Sequence, residues 1–106
     1  MRASRTALEL GIAFARLYLE QAFGYGNVEC IDRPDEEDTQ RGTRSFWIEN
    51  QGRQRIYFAT GVLEEKRDPR RVLQNLQGSA LADYIRNARG APVMMTTEGL
   101  QIIGAE

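Results

Sequence analysis

Arginine and aromatic residues alternate near the middle of the chain, and their types and spacing suit a binding site. Two neighbouring runs of aromatic and β-branched residues contain Arg44, Trp47, Arg53, Arg55 and Tyr57. A guanidinium group binds carboxylates and phosphates through paired hydrogen bonds, and aromatic rings stack on bases or fill pockets of a protein partner. We therefore take these five as the candidate binding residues.

Both a protein and a nucleic acid fit this pattern. The chain from Arg41 to Arg71 has eight basic and four acidic residues, and basic groups between aromatic rings can follow a nucleic-acid backbone. The whole chain, however, has 14 basic and 15 acidic residues and a formal net charge of -1, which is unlike a dedicated nucleic-acid binder. We expect a protein partner, with nucleic acid as the alternative.

Catalytic groups are scarce in this sequence. Its 106 residues include no histidine, the commonest general base, and Cys30 is the single cysteine. A thiol nucleophile needs a neighbouring base to activate it. The glycines Gly24 and Gly26 follow a helical segment instead of opening one, as a phosphate-binding loop would. The sequence therefore predicts a protein that is not an enzyme and holds no cofactor.

An acidic segment around Pro34 offers the oxygen ligands that calcium and magnesium prefer. Its acids are Asp32, Asp35, Glu36, Glu37 and Asp38. Calcium-binding loops alternate their ligands around a central glycine, whereas the last four acids here are consecutive. We expect no metal site, and we interpret Asp35 to Gly42 as a solvated loop.

The segment from Thr6 to Phe23 has apolar residues at helical spacing and predicts an amphipathic helix. Thr6 with Glu9 matches a capping box, and Gly24 is a typical stop. Small residues at spacing four, which permit close approach of another backbone, form a row on this helix: Ala7, Gly11 and Ala15. The neighbour is either the chain's own fold or a second copy, and we expect a homodimer through this helix.

Further along the chain, Asp68 and Pro69 open a helical segment that Gly90 ends. This segment is either one helix or two that meet at Gly78 and Ser79. Aromatic and β-branched runs bounded by turn residues predict the strands. They are Asn27 to Arg33, ended by Pro34, the hairpin Thr43 to Asn50 with Arg53 to Leu63, and the hairpin Val93 to Thr96 with Leu100 to Ile103.

The resulting element order is α-β-β-β-α-β-β. Separate hairpins and helices are typical of an α+β fold with a mainly antiparallel sheet and helices packed on one face. Apolar residues make up 42% and charged residues 27% of the composition, as in an ordinary globular protein, and the length fits one domain over residues 1–106.

Alternation along the first central strand divides its side chains between two faces. We expect Phe46 and Ile48 to face the core and Trp47 to point outward. A shift of one residue would place Trp47 inside and Phe46 outside, because the side-chain period of a strand is two.

Two known architectures share this element order. Restriction-endonuclease-like nucleases carry an acidic residue in the second strand and Glu-x-Lys in the third, where this chain has the run Arg55 to Phe58. Small acidic dimeric chaperones of type III secretion add a final helix after the last strand. Both resemblances concern element order without a shared motif, so we assign the chain to neither family.

The single cysteine excludes an intramolecular disulfide and makes the cytoplasm the expected compartment. The apolar stretch Leu8 to Leu19 is interrupted by Glu9 and Arg16 and is too short to span a bilayer, so we expect no membrane association. Taken together, the residues predict a small non-catalytic binding or adaptor protein that contacts another protein and forms a homodimer. The alternative is a nucleic-acid-binding or inactive nuclease-like accessory protein that uses the arginines of the hairpin.

Overall fold

A computed structural model describes residues 6–104 of the chain. The helices are α1 (Ala7–Phe23), α2 (Glu36–Arg41), α3 (Thr60–Leu63), α4 (Arg70–Gln77) and α5 (Leu81–Asn87). The strands are β1 (Val28–Cys30), β2 (Thr43–Glu49), β3 (Arg53–Ala59), β4 (Val93–Thr96) and β5 (Gly99–Ile102). A short 3₁₀ turn, Tyr25–Asn27, joins α1 to β1.

The strands form one sheet in the order β1-β2-β3-β4-β5. All neighbours are antiparallel except β3 and β4, which run parallel. The chain between these two strands contains α3, α4 and α5, because a parallel pair needs a long crossover connection. The predicted α+β class, element order and mainly antiparallel sheet are confirmed.

Helix α1 begins and ends where the sequence predicts. Thr6 accepts a hydrogen bond from the Glu9 backbone N–H at 3.0 Å, and the Thr6 N–H donates to the Glu9 carboxylate at 2.8 Å, which completes the capping box. Gly24 caps the other end with a φ of 104°, in the region that favours glycine.

The row of small residues on α1 packs inside the same molecule. A Cβ atom added to Gly11 would lie 1.8 Å from the Leu63 carbonyl oxygen, so the backbone of α3 occupies the space that the glycine leaves. Ala15 is fully buried in the core. The sequence allows two neighbours for this row, the chain's own fold or a second copy. At Gly11 the neighbour is helix α3 of the same chain.

Three predicted segments differ from the structure. The expected loop from Asp35 to Gly42 is wrong, because it contains helix α2, with Asp35 as N-cap and Gly42 in the left-handed conformation at its C-terminus. The expected strand from Arg53 to Leu63 ends at Ala59, and Thr60–Leu63 is the helical turn α3. The first expected strand is also shorter than predicted and covers only Val28–Cys30.

The segment after Pro69 is two helices. Ser79 lies between them, donating its hydroxyl to the Leu76 carbonyl at 2.7 Å and accepting the Leu81 N–H at 3.3 Å. The Tyr18 hydroxyl from α1 accepts the Ala82 N–H at 3.2 Å, which ties the start of α5 to the first helix.

One face of the sheet, the inner face, packs against α1, α3 and α5, and α4 packs on α1. Helix α2 lies on the opposite, outer face. Phe46 and Ile48 point inward as predicted, and the Phe46 and Phe58 rings meet edge to face at 5.6 Å. Gln54 is also buried on this side, where its Nε2 donates to the Ile85 and Ala91 carbonyls at 3.0 and 2.9 Å. No helix in residues 6–104 is long and apolar enough to cross a bilayer.

Candidate binding surface on the central hairpin

The outer face of the β2–β3 hairpin carries a stack of alternating cations and aromatic rings. Pairing of Trp47 with Arg55 and of Ser45 with Tyr57 places these side chains on one face. The guanidinium carbons of Arg53 and Arg55 lie over the Trp47 ring, 4.5 and 5.4 Å from its centroid. The Tyr57 ring in turn lies 4.9 Å from Arg55 and 5.2 Å from Arg41 of α2. We call these five side chains, Arg53, Trp47, Arg55, Tyr57 and Arg41, the outer stack.

Each arginine of the outer stack also has a carboxylate partner. Arg53 donates to Glu29 of β1 at 3.0 Å. Arg55 contacts Asp35 at 2.8 Å and Asp38 at 3.3 Å. Arg41 lies 3.8 Å from Glu37, whose carboxylate also accepts the Tyr57 hydroxyl at 2.6 Å. The positive charge of the stack is therefore neutralised within the molecule.

Asp38 fastens α2 to the sheet. It is only 1% exposed, and its two carboxylate oxygens accept the hydroxyls of Thr43 at 2.7 Å and Ser45 at 2.8 Å. Ser45 also accepts Arg55 at 2.8 Å, so helix and strands share one polar network. A buried carboxylate requires such partners because its desolvation is costly.

The candidate residues therefore occupy three environments. Trp47 is half-buried, and Arg53 is exposed beside it. Tyr57 is 3% exposed, and the Arg55 side chain is 11% exposed under α2, so neither offers much surface. Arg44 lies on the other face of β2, with Phe46. Only Trp47 and Arg53 combine the outer face with accessibility.

Arg44 borders a separate cleft between α1 and β1. Its Nη2 donates to the Asp32 carbonyl at 2.6 Å, and its buried Nε has no hydrogen-bond partner within residues 6–104. Cys30 lines the same cleft. Burial, followed by the nearby Asp32 carboxylate, raises the pKa of the Cys30 thiol despite the opposing effect of Arg16 and Arg44. The thiol therefore stays protonated near neutral pH.

A shallow hollow of about 130 Å³ lies beside the accessible end of the outer stack. Backbone and side chains from Gly26 to Glu29 form one wall, and Trp47, Glu49 and Arg53 form the other. Tyr25, which directly precedes this wall, is 70% exposed. The hollow therefore lies between the accessible Trp47 and Arg53 and the segment that follows the exposed Tyr25 in sequence.

The ionisation of two outer-face groups follows from their contacts. The hydrogen bond from the Asp38 N–H, with further help from Arg55, lowers the pKa of the Asp35 carboxyl. Burial, together with the hydrogen bond to Glu37, raises the pKa of Tyr57 to about 12. Near neutral pH the Asp35 carboxyl is ionised, and the Tyr57 phenol is neutral.

Three carboxylate partners of the outer stack, Asp35, Glu37 and Asp38, lie in the segment that the sequence predicts to be a loop. The signals for a helix are nevertheless present, since Asp35 is a preferred N-cap residue, three acids follow in the first turn, and Gly42 stands at the end. Within the described part of the chain, no group of three acidic or cysteine side chains is arranged to hold a metal ion.

Comparisons with known proteins leave this geometry as the basis for inferring function. No protein-family model, no curated protein and no solved structure matches the chain.

Proposed function

We propose that this chain is a small non-catalytic protein that binds another protein through the outer face of its hairpin, centred on Trp47 and Arg53, and that it acts as a homodimer. The observation that carries the proposal is the neutralised outer stack. Because Arg53, Arg55 and Arg41 each hold a carboxylate, the face presents a mixed, nearly uncharged surface around an accessible tryptophan. Tryptophan, tyrosine and arginine at the centre of a patch are typical of protein interfaces.

Nucleic acid fits this surface less well. A phosphate would have to displace Glu29 from Arg53 or enter the network under α2 to reach Arg55. A base would compete with guanidinium groups for the Trp47 ring, since Arg53 and Arg55 lie over it. Both steps remove interactions before new ones form, so the electrostatic gain that drives phosphate binding is reduced.

Catalytic chemistry has little support at this surface. The Cys30 thiol lies on the other side of the sheet, and its raised pKa keeps it protonated. Tyr57, with a pKa of about 12, is a poor general base near neutral pH. The carboxylates of α2 hold Arg55, Thr43 and Ser45 in place.

A photo-crosslinking amino acid at position 47 tests the protein partner. The control carries the same group at Gln74, an exposed residue of α4. We expect one host protein to be enriched from position 47 and not from position 74, and Arg53→Glu to reduce its binding. Equal recovery of the same proteins from both positions would contradict the proposed surface.

Binding to short DNA and RNA across a salt series tests the alternative. Counterion release makes the affinity of a phosphate-binding protein fall steeply with salt. We expect weak binding that Arg53→Gln does not change. Tight, salt-dependent binding that Arg53→Gln weakens would replace the protein partner by nucleic acid.

A further inference from the structure

The two edges of the sheet are protected to different degrees. The β1 edge has only three residues, carries the charged Glu29 and is followed by Pro34, which are features that discourage pairing with another strand. The β5 edge, Gly99–Ile102, has neither charge nor proline. Strand β5 is the last in the sheet order, so its free edge has no partner strand among the described residues.

The hydrogen-bond pattern shows which backbone groups are open on β5. The Ile103 N–H donates to the Pro92 carbonyl at 2.8 Å. Because hydrogen-bonded and non-hydrogen-bonded pairs alternate along an antiparallel ladder, Gln101 and Gly99 turn their backbone groups toward β4. Leu100 and Ile102 therefore point their N–H and C=O groups away from the sheet.

We propose that a second copy of this chain pairs with the open edge, strand β5 against strand β5, in antiparallel orientation. The matching register places Leu100 opposite Ile102 of the partner subunit, so the outward N–H and C=O groups of both residues are satisfied in each copy. Gln101 then faces Gln101 of the partner subunit across the two-fold axis. None of the residues of β5 is charged.

Side chains on both faces suit this register. Leu100 and Ile102 lie on the inner face, half-buried against the core, and would meet as apolar cross-strand pairs. Gln101 is exposed on the outer face, where two facing amides can donate and accept hydrogen bonds. Tyr84, 38% exposed, lies on α5, the helix that packs on β4 and β5.

The inference deepens the homodimer part of the proposed function and rests on it. It moves the expected contact from α1 to β5, because Gly11 of α1 already packs against α3. A symmetric β5 pair is closed, and the protected β1 edges stop the sheet from growing further. The prediction is therefore a dimer with a continuous sheet, and not a filament.

Charge substitutions at Gln101 test the pairing and its register together. Gln101→Lys and Gln101→Glu each place like charges opposite one another, which should weaken dimerisation about fivefold in sedimentation equilibrium from micromolar to millimolar protein. An equimolar mixture of the two variants should recover at least the affinity of the unchanged protein. Circular dichroism checks that each variant folds.

A cysteine crosslink gives an independent readout. In a Cys30→Ala background, Gln101→Cys should form a disulfide-linked dimer under mild oxidation, because directly opposed strand residues lie within disulfide reach. Gln74→Cys on α4 is the matched exposed control and should form no disulfide-linked dimer.

Three results would overturn the inference: a monomer at every concentration, a dimer that the Gln101 variants leave unchanged, or equal disulfide crosslinking of Gln101→Cys and Gln74→Cys. A dimer insensitive to Gln101 would leave the proposed homodimer intact and reject only its surface. Loss of crosslinking from position 47 with an intact β5 dimer would reject the partner surface alone.

Discussion

The two faces of the central hairpin are held by different forces, although both contain buried side chains. On the inner face, Phe46, Ile56 and Phe58 are fully buried among apolar neighbours. On the outer face, Asp38 and Tyr57 are also buried, but each is held by side-chain hydrogen bonds. Apolar packing is non-directional and depends on volume, whereas the polar network depends on every partner being present.

This difference separates stability from recognition. The inner face completes the apolar core, and replacing one of its side chains by a smaller one leaves a cavity. The outer face leaves Trp47 and Arg53 accessible, and the guanidinium groups of Arg53 and Arg55 lie over the Trp47 ring. The same strand therefore contributes to the core through one set of alternate residues and to the candidate surface through the other.

The largest expected contrast is between two adjacent residues of β2. Phe46→Ala should lower the free energy of unfolding by about 3–5 kcal/mol, because it empties a filled core position. Trp47→Ala should cost about 1–2 kcal/mol, mainly through its contacts with two guanidinium groups. Urea unfolding of both variants measures the difference, and a larger loss for Trp47→Ala would reverse the assignment of faces.

A glycine substitution tests the inner packing of α1. Gly11→Ala should destabilise the fold by about 2 kcal/mol or more, because the new Cβ would clash with the Leu63 carbonyl and outweigh the better helix propensity of alanine. Gly26→Ala is the control, since a Cβ there has no neighbour within 4 Å. Similar melting temperatures for the two variants would show that α3 does not lie against Gly11.

The polar network of the outer face is tested at Asp38. Asp38→Asn should lower the free energy of unfolding by about 2 kcal/mol, because it removes the buried carboxylate that pairs with Arg55. The loss is limited because Asp35 still pairs with that arginine. Glu36→Gln in the same helix is exposed and should change stability by less than about 0.5 kcal/mol. A small effect of Asp38→Asn in chemical denaturation would mean that α2 is not anchored through this carboxylate.

A smaller effect is expected at alkaline pH. The pKa of Tyr57 is raised to about 12, so the folded state favours the neutral phenol. The resulting stabilisation is complete below the ordinary tyrosine pKa of about 10 and is lost as the pH rises toward 12. Ultraviolet titration should show a late-ionising tyrosine, and Tyr57→Phe should remove that transition. If Tyr57→Phe instead removed a transition near the ordinary tyrosine pKa of about 10, the result would contradict the burial of Tyr57.

The inner face was predictable from the sequence because its pattern is apolar. Alternation placed Phe46 and Ile48 inside, and the capping box of α1 was identified from Thr6 and Glu9. The same alternation assigns Arg44 to the face of Phe46, so a stricter use of the strand period would have separated it from Trp47.

The outer face was predicted less well, for a physical reason. Helix α2 buries Asp38 against the sheet instead of an apolar residue, so a search for hydrophobic periodicity does not detect it. The partners of Asp38, which are Thr43, Ser45 and Arg55, come from two strands that only the folded sheet brings together. Capping residues indicate the helix, but they do not indicate what it covers.

The central claim is that Trp47 lies on the outer face as an accessible, arginine-flanked contact point, and its fluorescence tests this most directly. Trp47 is the only tryptophan, so emission and acrylamide quenching report on it alone. We predict an emission maximum between those of buried and fully exposed tryptophan, quenching weaker than in the unfolded chain, and stronger quenching in Arg53→Gln. A blue-shifted emission that acrylamide does not quench in the folded protein would place Trp47 in the core and contradict the proposed surface.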